Sequence, residues 1–262
     1  MPEPLTGPAG HDMTSSRRRV LVLSSRDWDR SDAAVRETAE NRRIISEATL
    51  RLTVNGSDLA HLLCLRQAPV ELALGHLLTE GLVSGAGDIE AWRLDEGRYE
   101  VHATLARRAR RPAASGQARP DGPQIALRDL WTTAERFSGM SAIRREVGGV
   151  HSALFRPLDP AGMDRSVFFE DVGRHNCLDK IAGRLLLRDR LDEAAEGLIF
   201  SSGRVSTEML SKALALRVPV YVSLTTPTAP AVDMARRHGL TLLGYVRGGH
   251  AVVYSGGERV RR

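Results

Sequence analysis

"GLIFSSGRVSTEMLSKALALRVPVYVSLTTPT", residues 197–228, decides the fold class. The apolar "GLIFSS" reads as a short buried strand, and the chain then passes through Gly203 into the helix-like "STEMLSKALALR". "VPVYVSL" reads as a second strand, closed by the turn-forming "TTPT". Strand, helix and strand at these lengths make a crossover unit, the connection that parallel strands require. The unit recurs on both sides. Upstream, "SVFFED" leads into the helix "RHNCLDKIAGRLLLRD", whose Leu178, Ile181, Leu185 and Leu186 share a face. Downstream, the helix "APAVDMARRHG" leads to the strand "LTLLGYV", the turn Arg247-Gly248-Gly249 and the strand "AVVYS". The expected class is α/β, with a mainly parallel sheet carrying helices on its faces.

Further outward the pattern changes. Residues 126–262 form the α/β core and open with the helix "LRDLWTTAERF" and the strand "GGVHSALF". Residues 106–125, "ARRARRPAASGQARPDGPQI", carry Pro and Gly without apolar periodicity and are expected to be a mobile loop. Residues 46–105 read as a small α+β unit. It comprises the hairpin "ATLRLTVNG…LAHLLCL" turning at Asn55-Gly56, the helix "PVELALGHLLTEG" opened by Pro69, and the hairpin "AWRLDEGRYEVHATL". Residues 1–45, rich in Pro, Gly, Ser, Arg and Asp, are expected to be a mobile arm with a strand near Val20–Leu23.

Composition excludes several classes. The longest apolar runs are too short for a spanning helix and Met1–Gly10 has no apolar signal segment, so no membrane and a cytoplasmic location are expected. The two cysteines, Cys64 and Cys177, suggest neither a disulfide framework nor a metal site. The net charge of +5 invites a nucleic-acid reading. It sits in arginine clusters at 17–19, 107–111 and 259–262 without interleaved aromatics, which argues against that partner. Of 37 basic residues only Lys180 and Lys212 are lysine, compact point charges suited to meeting a phosphate, and both fall in the core.

Ligands of such sheets collect where strand ends meet helix amino termini. The strand-end segments here hold Asp171, Gly173, Arg174, His175 and Asn176; Ser201, Ser202, Gly203, Arg204, Ser206 and Glu208; Ser223, Thr225, Thr226 and Thr228; and Tyr245 to His250. Glycine admits a close phosphate, hydroxyls donate to it, and arginine clamps it with two bonds. Together they describe a site for a large phosphate-bearing ligand of nucleotide type. Asp171, Ser206, Thr228 and Glu208 also suit plain helix capping. Arg174, His175 and Arg204 have no capping role, and His151 is open between a structural and a ligand-facing part. Zinc-deaminase, P-loop, dinucleotide-fold and Ser-His-Asp signatures are absent from the sequence.

The segments "LTVNG", "LALGHLLTEGLV", "GGVHSALF", "EDVGRHNCLDKIAG", "SSGRVSTEMLSKAL", "VPVYVSLTTPTAPAVDMARRHGLTLLGYVRGG" and "VVYSGGERV" closely resemble the FdhD family, sulfur carriers needed for formate dehydrogenase activity. The resemblance runs in order from about residue 46 to 260. It implies a three-layer, cytidine-deaminase-like core without zinc, a homodimer, and binding of molybdenum bis(molybdopterin guanine dinucleotide), for which a guanine nucleotide is a surrogate. The family's cofactor segment corresponds to Tyr245, Val246, Arg247, Gly248, Gly249 and His250. Asp171, Arg174, His175, Lys180, Ser202, Gly203, Arg204, Ser206 and Thr226 join it as candidate cofactor contacts. The implied partners are a cysteine desulfurase and a formate dehydrogenase-type molybdoenzyme.

The family passes persulfide sulfur through a C-G-x-C-G loop, and here "SGQAR" stands in its place, with Ser115 and Ala118 at the cysteine positions. A hydroxyl carries no persulfide. Cys177, in the first turn of a helix beside Arg174 and His175, is the alternative thiol, weighed against a packing role; Cys64, within "HLLCL", reads as core. Two functions are therefore expected: cofactor sulfuration or delivery for formate dehydrogenase, or a paralogue that binds the cofactor without transferring sulfur, as chaperone or regulator.

Overall fold

The computed structural model describes residues 15–24, 34–106 and 122–262. β1 (Ser15–Ser24) and β2 (Arg36–Ile45) form an antiparallel ribbon, where the sequence suggests a short strand in a mobile arm. Its pattern is hidden because both faces stay solvated: Leu21 and Leu23 are exposed, as are Arg17, Arg18 and Arg19 before them. Arg43 ties the ribbon to the core through Glu146, 2.6 Å away.

β3 (Ala48–Val54), β4 (Ser57–Cys64), β5 (Ile89–Asp95) and β6 (Glu100–Leu105) form a second sheet in the order β4-β3-β6-β5. Asn55 and Gly56 turn between β3 and β4 with φ of 50° and 80°, the left-handed pair that a type I′ hairpin needs. Leu50 and Leu52 alternate inward with Arg51 outward, so one face of this sheet is apolar. α1 (Pro69–Thr79) buries Leu72, Leu74, Leu77 and Leu78 and stops before Gly81.

The core begins with β7 (Ile125–Ala126), α2 (Leu127–Met140), α3 (Ala142–Glu146), β8 (His151–Pro157) and β9 (Val167–Asp171). It continues through α4 (Arg174–Leu187), β10 (Gly197–Ser201), α5 (Thr207–Ala215), β11 (Val220–Ser223), α6 (Ala229–Arg237), β12 (Thr241–Arg247), β13 (His250–Ser255) and β14 (Val260–Arg261). Its six-stranded sheet has the order β13-β12-β11-β10-β8-β9. β10, β11 and β12 are parallel neighbours, and β9 runs the same way beyond the antiparallel β8, so four of six strands share a direction. The mixed α/β class is the expected one.

The period-two alternation divides the sheet's side chains between two cores. Ala153, Phe155, Ile199, Tyr221 and Leu242 face a cluster shared with α4, α5 and α1. Leu154, Leu198, Phe200, Val220, Val222 and Leu243 face α2, through Leu130, Ala134 and Phe137. The first cluster also takes in Leu50, Leu52 and Val101, so one apolar core joins the small sheet to the large one. Two glycines allow this. A Cβ on Gly75 would lie 1.7 Å from the Asp179 carbonyl oxygen, and one on Gly183 would lie 1.9 Å from that of Glu71. α1 and α4 therefore cross in backbone contact, with Arg184 donating two hydrogen bonds to Glu71 at the rim.

Candidate functional site

The four co-directional strands end on one edge of the sheet, and β8 starts there, because His151 pairs with Asp171 and Ser201 pairs with both Ala153 and Ser223. Arg174 follows β9, His151 opens β8, Arg204 follows β10, Thr225 and Thr226 follow β11, and Arg247 ends β12. The edge predicted from the repeated unit thus exists, with its candidate residues in strand order.

Arg174, His151 and Gly203 are its centre. A Cβ on Gly203 would stand 3.3 Å from His151 Nδ1 and 3.4 Å from Arg174 Cδ, so the missing side chain is what lets the two close over the loop. Arg174 Nε is buried with no acceptor among the described residues. A donor in that state is a ready partner for an oxyanion. Burial lowers the affinity of His151 for a proton, and the charges of Arg174 and Arg144 lower it further. His175 is also pushed down, first by burial; Glu208 opposes the shift and Arg174 and Lys212 add to it. Its Nε2 lies 3.2 Å from Glu208 Oε2 but off the line of a hydrogen bond, which leaves that nitrogen without a hydrogen-bond partner among the described residues. Arg144, on α3, is missed by a sequence reading of strand ends, since only the tertiary fold sets it near His151.

Other candidates hold the edge together. Ser202 Oγ accepts from the Ser152 N–H at 2.9 Å while its own N–H donates to the Ser152 carbonyl, which clamps the turn to β8. Ser206 is the N-cap of α5, its Oγ accepting from the Met209 N–H, as its capping reading expected. Thr226 accepts the Val205 N–H at its carbonyl, and its hydroxyl donates to the Pro227 carbonyl. On β12 a bulge after Gly244 puts Tyr245 in the left-handed region at φ 54°, turning its ring outward and leaving Val246 fully buried. A buried Val246 adds packing beneath the segment and offers a ligand at most its backbone. Arg247 and His250 are exposed across a turn in which Gly248 and Gly249 have φ of 55° and 75° and open space where a Cβ would be.

Three expectations are corrected by burial. Lys180 and Asp171 are both 0 % exposed and joined at 2.5 Å, so this lysine meets a carboxylate and has no face toward a phosphate. Asp171 also accepts from Leu65 N–H, Gly173 N–H and Asn176 Nδ2, which fixes the start of α4 and anchors the small unit. Lys212 is likewise committed, to Glu80 at 2.7 Å and Asp179 at 3.0 Å. Cys177 is the third. It is fully buried, its Sγ donating toward the carbonyls of His151 and Gly173, and burial raises its thiol far above the normal range despite the helix start and Lys180. Cys64 is also buried and its thiol is raised, first by burial and then by Asp171. Both cysteines of the chain are thus packing residues. Ser115 and Ala118 lie outside the described residues.

Comparison with known proteins places this geometry. The sequence model of the FdhD/NarQ family matches residues 45–261. A protein named sulfur carrier protein FdhD from Anaeromyxobacter dehalogenans (strain 2CP-1) is 32% identical, over 95% of this chain and 98% of its own length. One of the same name from Listeria innocua is 30% identical, over 91% and 99%. A crystal structure described as a formate dehydrogenase accessory protein, from Desulfotalea psychrophila, superposes with a TM-score of 0.79 at 20% identity, over 95% and 100% of the two chains, and so shares the fold.

Proposed function

The chain belongs to the FdhD/NarQ family, and on that basis we propose that it serves a formate dehydrogenase-type molybdoenzyme by binding molybdenum bis(molybdopterin guanine dinucleotide) as cargo at the strand-end edge. The observation that carries this reading is the orphaned Arg174 Nε beside His151 and the side-chain-free Gly203. Residues present there fit a diphosphate: Arg174 and Arg204 as clamps, Gly203 for close approach, and Arg247 with the Gly248-Gly249 turn as an outer contact. The bound group would supply the molybdenum and its pterin chemistry. The protein's own residues would bind and orient it, with the two neutral imidazoles taking up protons as phosphate arrives. Action in the cytoplasm as a homodimer belongs to the same proposal.

Whether sulfur passes through this chain is decided by its thiols. With both cysteines buried and raised, the favoured form of the function is binding and delivery, and sulfur received from a cysteine desulfurase would have no exposed thiolate to occupy. Calorimetry with GDP tests the site: Arg204→Ala and Arg247→Ala each weaken binding about ten- to a hundredfold, as for a lost charge-assisted bond, while melting unchanged. Unaltered affinity in both variants overturns the assignment. Incubation with a cysteine desulfurase and labelled cysteine tests the second point, since persulfide label that disappears in Cys177→Ala would restore sulfur transfer.

A further inference from the structure

At the opposite edge of the large sheet, where β8 ends, β8 and α2 border a polar cavity of ≈ 340 Å³. Asp129, Thr132, Thr133 and Arg136 stand three and four residues apart and share one face of α2 toward it; Arg156 enters from β8, and Asp164 lies in the following loop. Arg156 is 8 % exposed. Its Nη1 donates to Thr133 Oγ1 at 2.7 Å, and that hydroxyl in turn donates to the Asp129 carbonyl at 2.6 Å. Arg156 Nε is buried without an acceptor, and among the described residues no carboxylate pairs with the guanidinium. Burial works against its charge; Asp129 offsets this from a distance and Arg136 adds to it.

A guanidinium removed from water with one neutral partner carries a desolvation cost that an anion in the cavity would relieve. We propose that this cavity is a second anion site, binding one carboxylate or phosphate group of a small ligand. Arg156 is the buried anchor, the exposed Arg136 the clamp at the mouth, and the Thr132 hydroxyl a further donor. Asp129 and Asp164 add negative charge at the rim, so a ligand with a single oxyanionic group is preferred to a polyphosphate. That preference separates it from the strand-end edge, where Arg174, Arg204 and Arg247 stand.

The test uses the full chain with inorganic phosphate and with acetate, against sodium chloride at matched ionic strength. At least one of the two anions raises the melting temperature of the wild type, since a ligand bound to the native state stabilises it. Phosphate alone assigns a phosphate group, acetate alone a carboxylate. In an Arg204→Ala background, which removes a phosphate contact at the strand-end edge, Arg136→Gln, at an exposed position, reduces the shift severalfold, and Arg156→Met abolishes it. As single substitutions both keep the wild-type affinity for GDP, and Arg204→Ala keeps the anion shift. No shift beyond the salt control overturns the proposal, as does a shift that survives Arg136→Gln in that background or vanishes in Arg204→Ala. If Arg156→Met does not fold, Arg136→Gln carries the test.

Discussion

Replacing Lys180 and Asp171 one at a time separates a structural ion pair from a ligand contact. Both are fully buried, with their charged atoms 2.5 Å apart. The partners are not equivalent. Asp171 keeps three donors when the lysine is removed, namely Leu65 N–H, Gly173 N–H and Asn176 Nδ2. Among the described residues the Lys180 ammonium bonds to Asp171 alone. Breaking a buried pair costs about 3–5 kcal/mol, and Lys180→Met belongs at the lower end because the carboxylate left behind keeps those three donors. Asp171→Asn belongs at the upper end, since it strands an ammonium in a dry site and weakens the start of α4. At about 2–4 °C per kcal/mol for a chain of this size, the melting temperature falls by roughly 6–12 °C and 10–20 °C respectively. Circular dichroism against temperature reads both losses, and calorimetry well below the transition reads GDP affinity, which Lys180→Met leaves unchanged. Equal losses in the two variants refute the asymmetry. A large loss of GDP affinity with a small loss of stability in Lys180→Met would return this lysine to the ligand.

Three further outcomes test the site. Because His151 and His175 are held below their ordinary proton affinity in the free protein, an arriving phosphate must raise it; proton uptake and binding then favour each other, and GDP binds more tightly as pH falls from about 8 to 6. Calorimetry in buffers of different ionisation enthalpy would show that uptake, and a pH-independent affinity with none would count against imidazoles at the site. Gly203→Ala pushes a methyl against His151 and Arg174, so GDP affinity drops severalfold with little change in melting, and a normal affinity would remove Gly203 from the cradle. Neither cysteine of the native protein reacts appreciably with iodoacetamide at neutral pH, and both react after denaturation; rapid native labelling of Cys177 would contradict its burial.

Whatever depends on near neighbours in the chain was legible in the residues. The apolar run Leu198-Ile199-Phe200, the leucines spaced along α1 and α4, and the Asn55-Gly56 turn each settle a local geometry. Repetition of strand and helix then settles the class and puts the strand ends on one edge. Of the β1–β2 ribbon only the strand near Val20–Leu23 was legible, because strands wet on both faces have no alternation to read. What became of the charged side chains was decided by tertiary packing. Lys180 and Arg174 lie six residues apart on one helix, yet the first is sealed against Asp171 and the second is left with an unmet donor. Cys177 looks activated from its helix position, and burial reverses that expectation. Arg156 shows nothing in sequence beyond one arginine in an apolar strand. A charge takes its meaning from the water it loses and the partner it meets, and both are set by segments distant in the chain.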